Sequence, residues 1–162
     1  MEVGDLTKIS NSVATILVDN QATVCVAESS AGGLIAASLL AVPGASSYFV
    51  GGGVIYTRNA RSAFLPDPGD ALSGVRSASE PYAKWLAETV SRHLGTTWGL
   101  AETGAAGPTG NSYGDKAGHS CLAVFGPHKN SLTLETHNRD RQENMWRFAQ
   151  AGLELLLETI QS

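Results

Sequence analysis

Glu28, Ser29 and Ser30 stand between an apolar run, Val24-Cys25-Val26-Ala27, and a glycine pair, Gly32 and Gly33, in the stretch VCVAESSAGG. A hydroxyl at the end of a strand can attack a carbonyl, and a carboxylate beside it can orient that hydroxyl or grip a ribose. The same residue types also serve structure, because serine is a common helix N-cap and a strand-end carboxylate is readily satisfied by nearby backbone. Where a helix follows, the N–H groups of Ala31, Gly32 and Gly33 sit at the positive end of its dipole and can hold a phosphate or a developing oxyanion.

A second stretch, GAAGPTGNSYGDKAG, carries Gly104, Gly107, Thr109, Gly110, Asn111, Ser112 and Lys116. It has too many glycines for a regular element, and it matches neither G-x-x-x-x-G-K-[ST] nor G-x-G-x-x-G. Two readings stand side by side: a long mobile connection, or a nest of N–H groups with Asn111, Ser112 and Lys116 as polar contacts. Cys25 and Cys121 lie in apolar strand-like runs, and His93, His119, His128 and His137 are scattered without ligand spacing. No metal site and no cofactor are expected.

The elements that position these residues follow from periodicity. Leu6, Ile9, Val13, Ile16 and Leu17 fall at helical spacing and predict a first helix ending near Asn20, before a strand at Val24. A second helix is expected from about Gly32 to Ala41, stopped by Pro43-Gly44, and Gly51-Gly52-Gly53 should lead into a short strand, Val54-Ile55-Tyr56. Ser79-Glu80-Pro81 reads as the start of a helix that Gly95 closes. A strand from Thr97 to about Glu102 precedes the glycine-rich stretch, a hairpin joins Cys121–Phe125 to Leu132–Glu135, and a last helix carries Met145, Phe148, Leu153, Leu156 and Ile160. Strands alternating with helices, then a hairpin and a terminal helix, predict a three-layer α/β/α sandwich with a mixed sheet, bringing the 28–33 and 104–118 loops together at the strand ends.

The 162 residues fit one domain spanning 1–162, and 43% hydrophobic with 16% charged residues is a globular balance. A formal charge of -4 speaks against a nucleic-acid partner, which needs a basic face. The amino terminus has two early acids and no apolar stretch, and no segment is apolar enough for a membrane span, so a soluble cytoplasmic protein is expected.

Taken in order, AESSAGG, PGASSYF, GGGVIYTRNAR, SASEP and GAAGPTGNSYGDKAG resemble the C-terminal domain of the competence/damage-inducible CinA family, with its patterns A-E-S-C-T-G-G, Y-S-N-x-x-K, V-S-E-P and G-I-A-G-P-x-G-G. The resemblance implies an α/β fold and nicotinamide mononucleotide amidohydrolase activity, yielding nicotinate mononucleotide and ammonia. It implies Ser29 as nucleophile, Tyr56 as the motif tyrosine, and Arg61 at the place of the family's catalytic lysine. Glu28, Ser30, Ala31, Gly32, Gly33, Gly104, Gly107, Thr109, Gly110, Asn111, Ser112, Lys116 and Arg141 then fall in the substrate-binding positions, with a pyridine nucleotide as ligand and a homo-oligomer, first of all a dimer, as the assembly.

Departures from the pattern matter chemically. A guanidinium stays protonated, so Arg61 binds anions but is a poor base. Ser30-Ala31 stand for Cys-Thr, Tyr113-Gly114 alter the loop before Lys116, Arg139 replaces a glycine, and Met145 falls where a second arginine is common. Either Lys116, His119 or Tyr56 takes the serine proton, or the protein binds nucleotides without turning them over. An amidase with a different substrate is a third reading.

Overall fold

The computed structural model describes residues 3–162, with side chains from Leu6 onward. The reading of the amino terminus therefore rests partly on Met1 and Glu2, which lie outside the described residues. The chain runs α1 (Val3–Asp19), β1 (Val24–Glu28), α2 (Leu34–Leu40), β2 (Phe49–Val54), α3 (Arg58–Phe64), α4 (Glu80–Leu94), β3 (Trp98–Ala105), β4 (His119–Phe125), β5 (Asn130–Glu135) and α5 (Arg141–Ile160). The strands form one sheet in the order β2-β1-β3-β4-β5. β2, β1 and β3 are parallel, while β3, β4 and β5 are antiparallel, which is the mixed sheet of a three-layer α/β/α sandwich.

Strand alternation builds the two cores and aims the site. Val24 and Val26 of β1, with Leu100 of β3 and Leu122 of β4, face the core formed with α1, α2 and α5. Cys25, Ala27 and Ala101 face the opposite core, formed with Leu86, Ala87 and Val90 of α4. Successive side chains in a strand point to opposite faces. Glu28 and Glu102 therefore project toward α2, whereas Ser29 and Thr103 project toward α4. That parity separates a structural carboxylate pair from the candidate nucleophile.

Expected boundaries move at β2, α2 and β3, and α3 is an added element. Gly51, Gly52 and Gly53 lie inside β2, paired with Cys25, Val26 and Ala27, and do not lead into it; the strand ends at Val54, so Tyr56 sits in the following loop. The close approach requires it, because a Cβ at Gly52 would stand 2.8 Å from the Val26 carbonyl oxygen. α2 begins at Leu34, since Gly32 and Gly33 adopt φ of +68° and +97°, outside the helical region. β3 continues to Ala105, drawing Thr103 and Gly104 into the sheet. α3 was invisible to hydrophobic periodicity because it buries no residue; the Thr57 hydroxyl, accepting from the Ala60 N–H at 3.1 Å, caps its start.

Gly99 sets the spacing between sheet and α4. A Cβ there would collide with the Ala87 carbonyl oxygen and lie 2.9 Å from Ser91 Cβ. Gly99→Ala should destabilise the fold by about 1–3 kcal/mol, the usual cost of overpacking. A urea unfolding midpoint equal to the parent's would contradict this packing.

Candidate active site

Two buried carboxylates fold the strand-to-helix turn. Glu28 accepts from the backbone N–H groups of Gly33 at 3.2 Å, Ile35 at 2.9 Å and Ala36 at 2.9 Å, and so caps α2 with a side chain from the preceding strand. Glu102, fully buried, accepts from the Ser29 N–H at 3.0 Å, the Ala31 N–H at 2.7 Å and the Ser120 hydroxyl at 2.9 Å, and closely from the Ser30 hydroxyl. Burial pushes the Glu28 pKa up to about 7 against the pull of its three N–H donors. Burial likewise raises Glu102 above the usual carboxylate range, against Ser30, Ala31, Ser29 and Ser120. Neither carboxylate has a cation partner among the ion pairs of the described residues.

These bonds correct one expectation. The N–H groups of Ala31 and Gly33 already serve Glu102 and Glu28, and the Gly32 N–H donates to the Ser29 carbonyl at 3.2 Å. They form the turn, and none is offered to an oxyanion in this conformation. Glu28 is the satisfied strand-end carboxylate of the two roles considered. Ser30 is buried against Glu102, which leaves Ser29 as the serine at the surface of the turn.

Ser29 opens into a hollow of about 260 Å³ lined also by Tyr56, Thr57, Arg58, Arg61 and Tyr113. Gly104 and Asn111 of the glycine-rich segment, with Ile55, Ser77, Ala78, Tyr82 and Thr103, complete its walls. The three residues assigned catalytic roles by resemblance, Ser29, Tyr56 and Arg61, thus share one wall system that contains two guanidiniums and no carboxylate. The Arg61 guanidinium lies 5.9 Å from the centroid of the Tyr82 ring. Arg141 joins two elements at the rim, donating to the Gly107 carbonyl at 2.6 Å and to the Tyr56 hydroxyl at 3.2 Å.

The glycine-rich segment is a fastened loop. Asn111 accepts from the N–H groups of Tyr113 at 3.0 Å and Asp115 at 3.1 Å, and donates to the Asp115 carboxylate at 2.8 Å. Arg76 grips the same carboxylate bidentately at 2.6 and 3.0 Å. Burial would raise the Asp115 pKa, but Arg76 and Asn111 hold it below the usual carboxylate value.

Other expected contacts lie elsewhere. Thr109, Gly110 and Lys116 line a separate hollow with His137 and Arg139, and exposed Ser112 lines neither. His119, a candidate base, is buried and locked, with one ring nitrogen 2.8 Å from the Ala78 carbonyl and the other closely against Glu135. Burial lowers its pKa, but Glu135, Ala78 and Asp115 outweigh that and raise it. Neither Lys116 nor His119 reaches the Ser29 hollow. Sequence reasoning missed Arg58, Tyr113 and Glu102; the spacing of Arg58 and Arg61, one helical turn apart, was the available signal for the first.

A sheet of this topology, with a serine at the first strand-to-helix turn and a cationic, tyrosine-lined hollow beside it, defines the class as an α/β protein with a cationic hollow at its strand ends. The chain belongs to the CinA C-terminal domain family, whose family model matches residues 6–160. It is 44% identical over 120 residues, 74% of its length, to a putative competence-damage inducible protein of Desulforamulus reducens, of which the match covers 29%. It is 36% identical over 151 residues, 91% of its length, to a CinA-like protein of Desulfosudis oleivorans, of which the match covers 35%. The chain thus spans about a third of the length of these relatives. The crystal structure of the competence/damage inducible protein CihA from Agrobacterium tumefaciens superposes with a TM-score of 0.88 at 25% identity, covering 98% of this chain and 96% of that one. No helix among the described residues is long and apolar enough to cross a membrane. No group of three or more metal-ligating His, Cys, Asp or Glu side chains occurs among them.

Proposed function

We propose that the protein is an amidohydrolase that converts nicotinamide mononucleotide to nicotinate mononucleotide and ammonia through a Ser29 acyl-enzyme. The observation that carries this reading is the meeting of Ser29, Tyr56 and Arg61 in one hollow. Ser29 Oγ attacks the carboxamide carbon, the C–N bond breaks, and ammonia leaves with the proton taken from the serine. Water then cleaves the ester and frees the acid and Ser29. With the turn amides engaged, charge on the carbonyl oxygen or the substrate phosphate falls to Arg61 and Arg58, which stay cationic throughout. Tyr56, steadied by Arg141, borders the same space. The family resemblance further supports a homo-oligomer, with a dimer first.

A second reading, nucleotide binding without turnover, is favoured by one observation. Arg58 and Arg61 line the hollow together, and neither belongs to an ion pair among the described residues. Paired guanidiniums suit a phosphate. Incubation with nicotinamide mononucleotide separates the two: the amidase yields nicotinate mononucleotide and ammonia in equal amounts. Ligand-induced thermal stabilisation without product would replace the first reading by the second. Product from Arg61→Lys but not from the parent would do the same and would identify Arg61 as the change that silenced the site.

A further inference from the structure

We infer that His119 is a positioning residue for the Ser29 hollow: held as an imidazolium, it fixes two of the hollow's walls and releases them when it loses its second proton, a role that rests on the reading of that hollow as the ligand site.

Hydrogen-bond geometry sets the protonation state. One ring nitrogen, Nε2, stands 2.8 Å from the Ala78 carbonyl oxygen, and the other, Nδ1, lies closely against a Glu135 carboxylate oxygen. A carbonyl and a carboxylate accept and do not donate, so both ring nitrogens carry protons and the ring is a cation. Its surroundings suit that charge. Glu135 faces it from β5, and Asp115, in the loop before β4, stands 3.6 Å from Nε2. Arg76 grips Asp115 from the other side at 2.6 Å. Cys121 Sγ of β4 lies 3.6 Å from Nε2, and Glu80 of α4 accepts from the Ser131 and Thr133 hydroxyls beyond it. Burial disfavours the cation, but Glu135, the Ala78 carbonyl and Asp115 outweigh burial and raise the ring pKa above the ordinary imidazole value.

Two walls of the hollow meet at this ring. Ala78 lines the hollow and has φ of +53°, a left-handed backbone that costs energy in a residue with a side chain. Neighbours hold it there: its N–H donates to the Thr103 hydroxyl at 3.0 Å, and its carbonyl accepts from His119 at 2.8 Å and Arg76 at 3.2 Å. On the other wall, the Asp115 carboxylate that faces His119 accepts from Asn111 at 2.8 Å, and Asn111 lines the hollow. Arg76 keeps its proton, so His119 is the cation of this group that titrates near neutral pH. Deprotonation leaves the ring one proton for two acceptors and removes a cation from Asp115, loosening Ala78 and Asn111 together. Because its pKa is raised on folding, the ordering it supplies is present at low pH and lost as pH climbs through the folded-state value.

Nuclear magnetic resonance of the parent reads this without any ligand. Both His119 ring nitrogens should resonate as an imidazolium at neutral pH, and the amide signals of Ala78 and Asn111 should shift with the ring as it titrates. Glu135→Gln keeps the size of an exposed side chain and removes the facing anion, and should move these inflections to lower pH. His119→Gln should remove the inflection from Ala78 and Asn111. Calorimetry should show the parent's affinity for nicotinamide mononucleotide falling on the order of 10-fold across the same inflection, an ordinary size for coupling between two sites. A singly protonated ring at neutral pH overturns the assignment, as do Ala78 and Asn111 signals that stay fixed while the ring titrates. A Glu135→Gln protein with the parent's inflection, or an affinity that ignores the inflection, overturns it as well. Failure of the nucleotide reading looks different: ring and walls titrate together, but nicotinamide mononucleotide binds at no pH.

Discussion

Ser29→Ala should lower the formation of nicotinate mononucleotide by at least about 10³-fold while leaving the melting temperature close to the parent's. Loss of a nucleophile removes the covalent route entirely and leaves only what binding and electrostatics supply. Stability should hold because the bonds that Ser29 gives to the fold, its N–H to Glu102 at 3.0 Å and its carbonyl from the Gly32 N–H at 3.2 Å, are backbone bonds that alanine keeps. Coupled ammonia detection with chromatographic product analysis measures the rate, and thermal unfolding measures the fold. Residual activity within tenfold of the parent would remove Ser29 from the mechanism.

The second large effect concerns stability. Glu102→Ala should cost about 3–5 kcal/mol at neutral pH, because it leaves the Ser29 and Ala31 N–H groups and the Ser30 and Ser120 hydroxyls without their shared acceptor. Urea unfolding reads the loss, and a change below about 1 kcal/mol would show that water replaces the carboxylate without penalty. Its neighbour Glu28 gives the fold a pH dependence. Its pKa rises from 4.5 to about 7 on folding, so the folded state binds the proton more tightly. The associated stability is fully present below the lower value and is lost as pH climbs through the higher one. Glu102, raised in the same direction, adds to the trend. Unfolding midpoints should therefore improve from pH 7.5 to about 5, and Glu28→Gln should flatten that slope. A parent whose midpoint falls steadily over this window would contradict the assignment.

Much of the architecture was legible because it rests on two periodicities. The alternation of Val24, Cys25, Val26 and Ala27 marks a strand buried on both faces, and both cores use it as such. The Ser79-Glu80-Pro81 start and the Gly95 stop of α4 were readable because caps are local chemistry; the Ser79 hydroxyl does accept from the Tyr82 N–H, at 3.4 Å. α3 was not readable, since a helix that buries nothing leaves no apolar stripe. The glycines of β2 were misplaced because their reason is the nearness of Val26 and Leu94, a tertiary fact.

The site was half legible for the same reason. Ser29, Tyr56 and Arg61 could be named from motif order, yet the occupation of the turn amides could not. It depends on Glu102, which lies 73 residues beyond Ser29 and reaches the turn only because β3 pairs with β1. Parity along β1 and β3, once that pairing is known, explains why two carboxylates face α2 while Ser29 faces the hollow. Tyr113 was read only as a departure in the loop before Lys116; its place at the hollow depends on Arg58, Ser77 and Arg76, which come from distant segments.

The central claim is that Ser29 carries the substrate's acyl group. Its most direct test is to mix the protein with nicotinamide mononucleotide, quench in acid before the steady state, and map the peptides by mass. The account predicts a nicotinoyl mononucleotide ester on the peptide containing Ser29, absent from Ser29→Ala. Product formed at the parent rate with Ser29 unmodified at every quench time, or with the ester on another residue, would contradict it.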